Sequence, residues 1–147
     1  MFQLKADDRF RSWREFRTKL DSLPLNSAMS QTAQLWATAP FTPYHLDSTP
    51  DHWPDPWTLI EENYYCDIAK CLGIMYTISL TQHKKNLTVE YRVYQDSIGH
   101  EYNLAWFNQG KYILNLISSE VVNIEQFDKT LKLKNQYSES ELRLDSY

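Results

Sequence analysis

The chain has 147 residues and a mass of 17.5 kDa, which suits one domain of ordinary size and leaves too little for two. Apolar residues make up 42% and charged residues 23%, a balance that excludes disordered and collagen-like chains. Fifteen Lys and Arg against nineteen Asp and Glu give a net charge of −4, which argues against a nucleic-acid backbone as the main partner.

Residues 7–23 read as an amphipathic helix, because Phe10, Trp13, Phe16, Leu20 and Leu23 recur at three- and four-residue steps, with Asp7 or Asp8 as a cap. Its other face carries Arg9, Arg11, Arg14, Arg17 and Lys19 among acidic residues and reads as solvated. Pro24 ends it, and a second helix from Ser30 passes through Ala33, Trp36 and Ala37 to Pro40. Five of the six prolines then fall between Pro40 and Pro56, so this stretch runs extended and irregular. Trp53 and Trp57 bracket Pro54-Asp55-Pro56 in an aromatic corner, suited to pinning the loop to the core or to binding a partner.

Asp55 supplies a side-chain acceptor and Pro56 lacks the donor that a first helical position leaves unused, so a third helix begins there. Trp57, Ile60, Tyr64, Ile68 and Cys71 or Leu72 form its stripe, and Gly73 is placed to close it in a left-handed conformation. From Ile74 the period changes to two. Tyr76, Ile78 and Leu80 suggest a first strand, and Leu87, Val89, Tyr91 and Val93 a second, joined through Lys84-Lys85-Asn86. A third strand is expected over 101–107 and a fourth over 111–118, with a turn at Asn108-Gln109-Gly110, and Val121 to Phe127 adds a short element.

The expected fold class is therefore α+β: three N-terminal helices packed on a mainly antiparallel sheet of four to five strands. The domain spans 1–128, and 129–147 reads as a polar, acidic tail that orders only against something else. Gly73, Gly99 and Gly110 are isolated, so no glycine-rich loop cradles a phosphate. Met1 to Arg11 holds no apolar run of signal-peptide length, and Leu72 to Leu80 is too short to cross a bilayer, so a cytoplasmic protein is expected.

Cys66, His100 and Asn115 form the sharpest chemical constellation. A nucleophilic thiol needs a base within reach and a third group to orient it. Cys66-Asp67-Ile68-Ala69, Leu72-Gly73-Ile74 and the run from His100 through Gly110-Lys111-Tyr112-Ile113-Leu114-Asn115 resemble the transglutaminase-like branch of the papain-like cysteine enzymes. That resemblance implies Cys66 as nucleophile, His100 as base and Asn115 as orienting group. The residues themselves pull the other way. A helix begun at Pro56 puts Cys66 three turns inside, away from the electropositive end that favours thiolate, and Glu61, Glu62 and Asp67 oppose ionisation. A two-residue turn at Gln109-Gly110 puts His100 and Asn115 on one sheet face, and a three-residue turn with Asn108 puts them on opposite faces.

Cys71 reads as core, and two thiols five apart on one helix point about 140° apart, so both are expected reduced. His45, Asp47, His52 and Asp55 are close in sequence, but a proline-rich loop does not fix coordination geometry, and neither metal nor cofactor is expected.

A second resemblance runs through Trp36-Ala37-Thr38-Ala39-Pro40-Phe41, Trp53 to Ile60, Tyr65-Cys66 and Leu72 to Thr77, with Gly110 to Asn115. These segments look like small uncharacterised proteins of tailed bacteriophages, which implies a phage-encoded product. The expected function is accordingly a non-enzymatic structural or interaction protein, a component of a virion head, neck or tail. Its partners would be other proteins or further copies, with Trp53 and Trp57 at the contact, and not a membrane. The alternative is a transglutaminase-like cysteine hydrolase or acyl transferase using Cys66, His100 and Asn115.

Overall fold

The computed structural model describes residues 1–147. Helix α1 (Ala6–Asp21) buries Trp13 and Leu20, as the three- and four-residue spacing requires, and carries Asp7 and Asp8 in its first turn, without a side-chain cap. Helix α2 (Leu25–Ala37) starts five residues earlier than expected, directly after Pro24, whose carbonyl accepts from Ala28. The face of α1 read as solvated departs from that reading twice: Arg17 is half-buried with its guanidinium 4.3 Å from the Trp13 ring, and Arg9 is enclosed. Arg9 is buried, donating to the carbonyls of Ile60 and Glu61 at 2.8 and 2.9 Å and also to that of Leu4.

Asp55 and Pro56 start helix α3 (Pro56–Glu62) as expected, the Asp55 carboxylate accepting from the Thr58 amide at 2.8 Å. The helix then stops after two turns. Asn63 takes a left-handed conformation, φ 60° and ψ 36°, and its side chain donates to the Phe2 carbonyl at 2.9 Å. Arg9 meets the carbonyls at this C-terminus with a positive charge, so the break is stabilised from a helix fifty residues away in sequence. The chain runs extended through Tyr65, bridges to Phe41, and enters helix α4 (Asp67–Ser79) with Cys66 as its N-cap. The expectation of one helix carrying Cys66 three turns inside is thus corrected.

Helix α4 replaces the expected first strand as well. Nine of its residues from Ala69 to Ile78 are buried. A helix enclosed on all sides has no polar face to set a 3.6-residue period, and Tyr76, Ile78 and Leu80 mimic alternation by chance. Gly73 does not close a helix but lies within α4 under the Trp36 indole; a Cβ there would come 2.3 Å from the ring. Four residues on, the Thr77 hydroxyl accepts from Trp13 Nε1 at 3.0 Å and Trp36 Nε1 at 2.9 Å and donates to the Gly73 carbonyl. One oxygen therefore ties three helices together.

The sheet is antiparallel with order β4-β3-β2-β1-β5. Strands β1 (Val89–Gln95) and β2 (Glu101–Phe107) form its long hairpin, and β3 (Tyr112–Leu114) and β4 (Val121–Val122) are shorter than expected. Val89, Tyr91, Val93, Ala105, Phe107 and Leu114 face the helices. Tyr94, Leu104, Trp106 and Ile113 face the other way, under Val122 and Phe127. The α+β class and the antiparallel sheet are as read from the sequence.

Residues 129–147, read as a tail, contain β5 (Lys132–Ser138), which pairs with β1, and the buried Leu142 and Leu144. Trp53 fixes the proline-rich loop: its ring lies 4.8 Å from Tyr91, and its indole N–H donates to the Asp47 carbonyl at 2.7 Å. Trp57 is 45% exposed and meets Trp13 edge-on at 5.8 Å. No helix is long and apolar enough to cross a membrane.

Replacing the Thr77 hydroxyl by a methyl strands two buried indole donors. Thr77→Val is expected to cost about 2–4 kcal/mol in urea denaturation, while Thr77→Ser retains most of the wild-type stability. Gly73→Ala forces the Trp36 indole out of its seat and is expected to cost about 1–3 kcal/mol, read as a lowered melting temperature.

Candidate active site

The break at Asn63 gives the site its geometry. Cys66 is the N-cap of a thirteen-residue helix, at φ −80° and ψ −179°, with its carbonyl accepting from the Lys70 amide at 2.9 Å. No side chain caps the first turn of α4, so the thiol occupies the place where Ser, Asp or Asn would normally accept from these amides. The helix N-terminus puts partial positive charge at this place, and Asp67 on the first turn puts a negative charge beside it. The residue is 5% exposed, whereas Cys71 is wholly enclosed. Both cysteines are unbridged, as expected.

Three polar side chains from the sheet converge at this helix end. Asn115, just past β3 at φ 76°, donates to the Asp67 carbonyl at 3.3 Å and to the Asn103 carbonyl at 2.9 Å. It thereby clamps the first turn of α4 to strand β2. The Tyr91 hydroxyl donates to Asn103 Oδ1 at 2.8 Å and lies within electrostatic reach of Cys71 and Cys66. Burial pushes the Tyr91 phenol well above its ordinary value, and burial does the same to the Cys71 thiol.

His100 is elsewhere. It sits in the β1–β2 turn, where its amide donates to Asp96 Oδ1, and its ring packs 4.7 Å from Tyr102. Tyr102 packs with the second cluster, on the sheet face turned away from the helices. Of the three residues singled out from the sequence, the fold brings Cys66 and Asn115 to one place and puts the His100 imidazole across the sheet. The residue that faces the helix end from β2 is Asn103. Its signal in the sequence was its parity: Asn103 alternates with the core-facing Ala105 and Phe107, and only Glu101, at the start of the strand, is a second polar residue on that row.

Two cavities flank the helix end. One of about 160 Å³ is lined by Ile68, Val93, Glu101, Asn103 and Tyr137, and another of about 200 Å³ by Trp36, Asp67, Lys70 and Asn115. Cys66 lines neither. The residues His45, Asp47, His52 and Asp55 do not converge: His45 contacts Glu62 at 3.6 Å, His52 pairs with Asp47 at 2.8 Å, and Asp55 caps α3. No group of three His, Cys, Asp or Glu side chains is disposed to hold a metal ion.

No family model matches the chain, and no curated protein matches its sequence. Solved structures do. Calcium-bound LapG of Legionella pneumophila aligns with a TM-score of 0.72 at 13% identity, covering 92% of this chain and 77% of that one. The EGTA-treated form of the same protein aligns with a TM-score of 0.71, also at 13% identity, over 91% and 74% of the two chains. LapG is a cysteine protease of transglutaminase-like fold, so the likeness supports the resemblance read around Cys66, as a likeness of fold. The phage resemblance receives no support from these structures. The expectation of a non-enzymatic structural or virion protein is corrected: its premise, a thiol buried in mid-helix, fails, and the shared fold is that of a cysteine protease.

Proposed function

We propose that the chain is a cysteine-dependent acyl-transfer enzyme or hydrolase of transglutaminase-like fold, with Cys66 as its nucleophile. The observation that carries this reading is the N-cap placement of Cys66 at a helix whose first turn lacks a side-chain cap. The helix N-terminus carries about half a positive charge, which favours a thiolate and, later, an oxyanion. Asn115 is a positioning residue, holding the helix end and strand β2 in fixed relation through its two donated hydrogen bonds. Asn103 is bonded to Tyr91 and, through its carbonyl, to the Asn115 amide that also reaches the first turn of α4, and its own amide takes no proton at neutral pH.

A reactive nucleophile is readily separated from an ordinary thiol. Brief treatment with iodoacetamide at neutral pH, followed by peptide mass mapping, is expected to label Cys66 ahead of a thiol in an unstructured peptide. Cys71 should stay unlabelled in the folded chain, since it is enclosed and burial raises its pKa. Labelling of Cys66 no faster than the peptide would remove the proposal.

Asn103→His puts an imidazole on the core-facing row of β2, whose backbone Asn115 ties to the first turn of α4. Alkylation is expected to accelerate and to acquire an inflection near the ordinary histidine value of about 6.5, whereas Asn103→Gln leaves the profile without one.

A further inference from the structure

A cavity of about 770 Å³ opens beside β4, several times the volume of either cavity flanking α4 and within the range of about 300–1,000 Å³ that small-molecule sites occupy. The thiol of Cys66 has no part in it. Leu116, Val122 and Leu131 supply apolar lining, and because all three also pack in the cluster on the outer sheet face, that lining is already formed. Tyr102 adds an aromatic wall, its ring held against His100 at 4.7 Å and its hydroxyl directed to Asp96 at 3.4 Å. The charge here is of one sign. Glu120, just ahead of β4, and Asp128, on the segment that crosses to β5, both reach the cavity, and no lysine, arginine or histidine lines it. Neither carboxylate takes part in an ion pair. Lys129, next to Asp128 in the chain, is engaged elsewhere, its ammonium donating to the Ile124 carbonyl at 2.6 Å and lying 6.0 Å from the Phe127 ring. The Thr130 hydroxyl and amide hold the Asp128 carboxyl below its ordinary value, while burial and the Asp96 and Asp128 carboxylates push the Tyr102 phenol up. Both directions describe a negative potential without a counter-ion.

We propose that this cavity binds a small organic cation, an ammonium group carried on an apolar body, with the ammonium drawn to Glu120 and Asp128 and the body laid against Leu116, Val122, Leu131 and the Tyr102 ring. Other ligand classes fit the lining less well. A neutral apolar molecule would take water from two carboxylates and give them no partner, and an anion would meet two like charges. An ammonium answers carboxylate oxygens with three donors, and the face of Tyr102 favours a cation as well. The site is separate from the nucleophile, so its test does not depend on how Cys66 reacts.

Phenylbutylamine, phenylbutanol and phenylbutanoate share one apolar body and differ in the charge of the head group, so titrating each into the full chain separates the terms. Amide NMR resonances are the readout. The amine is expected to shift residues 116–122 and 126–131 and to bind roughly tenfold tighter than the alcohol, with the carboxylate weakest of the three. Glu120→Gln and Asp128→Asn, the second keeping a carbonyl for the Thr130 amide and hydroxyl, should each weaken the amine about threefold and leave the alcohol unchanged. Added salt should act in the same direction. Equal affinity for amine and alcohol, tighter binding of phenylbutanoate, shifts confined to another face, or no response to millimolar amine would each overturn the proposal. Acetylated, amidated lysine carries the same ammonium on a peptide and is expected to bind more weakly than phenylbutylamine. Tighter binding of that lysine would overturn the assignment to a small cation in favour of a protein side chain.

Discussion

The enclosure of α4 is the constraint on which the rest of the molecule depends. A helix buried on nearly every side can be held only if each polar group inside has a partner, and the Thr77 hydroxyl meets this demand for two indoles and one carbonyl. The absence of a side chain at Gly73 lets Trp36 close on the backbone. Together these contacts fix the axial position and rotation of α4 against α1 and α2. Its N-terminal end, and the thiol on it, are thereby set against the sheet.

The second determinant is a helix end stabilised at a distance. Asn63 supplies a residue tolerant of the left-handed region, but that is a permission and not an instruction. The buried guanidinium of Arg9, bonded to the last carbonyls of α3, makes termination there more favourable than another turn. Tyr65 then packs between Phe2 and Trp36 at 5.2 Å from each, fixing the extended step that presents Cys66 as a cap. A functional position at the sheet is thus traceable to an arginine on the first helix.

The electrostatics around Cys66 are those of a thiol held by dipoles. The first turn of α4 and the Asn115 amide bonded to it lie at this end of the helix, while the Tyr91 phenol and the second thiol are kept neutral by burial. Such a setting supports attack on a carbonyl carbon more readily than it supports moving protons.

Local chemistry was enough to read the Asp55-Pro56 helix start, the amphipathic α1, strand β2 and the turn at Asn108 to Gly110, because each rests on neighbours in the chain. Strand β5 escaped because it is an exposed edge held by backbone hydrogen bonds to β1, with no buried row to betray it. Helix α4 was misread as a strand because complete burial erases periodicity, and the site followed that error. The sequence by itself determined the α+β class and the presence of a thiol and an amide at matching places. Only the tertiary structure decided that the thiol begins a helix and that His100 faces away from it. Helix termination rested on a guanidinium remote in sequence, and the face of a side chain near a hairpin turn depended on the register of the whole sheet.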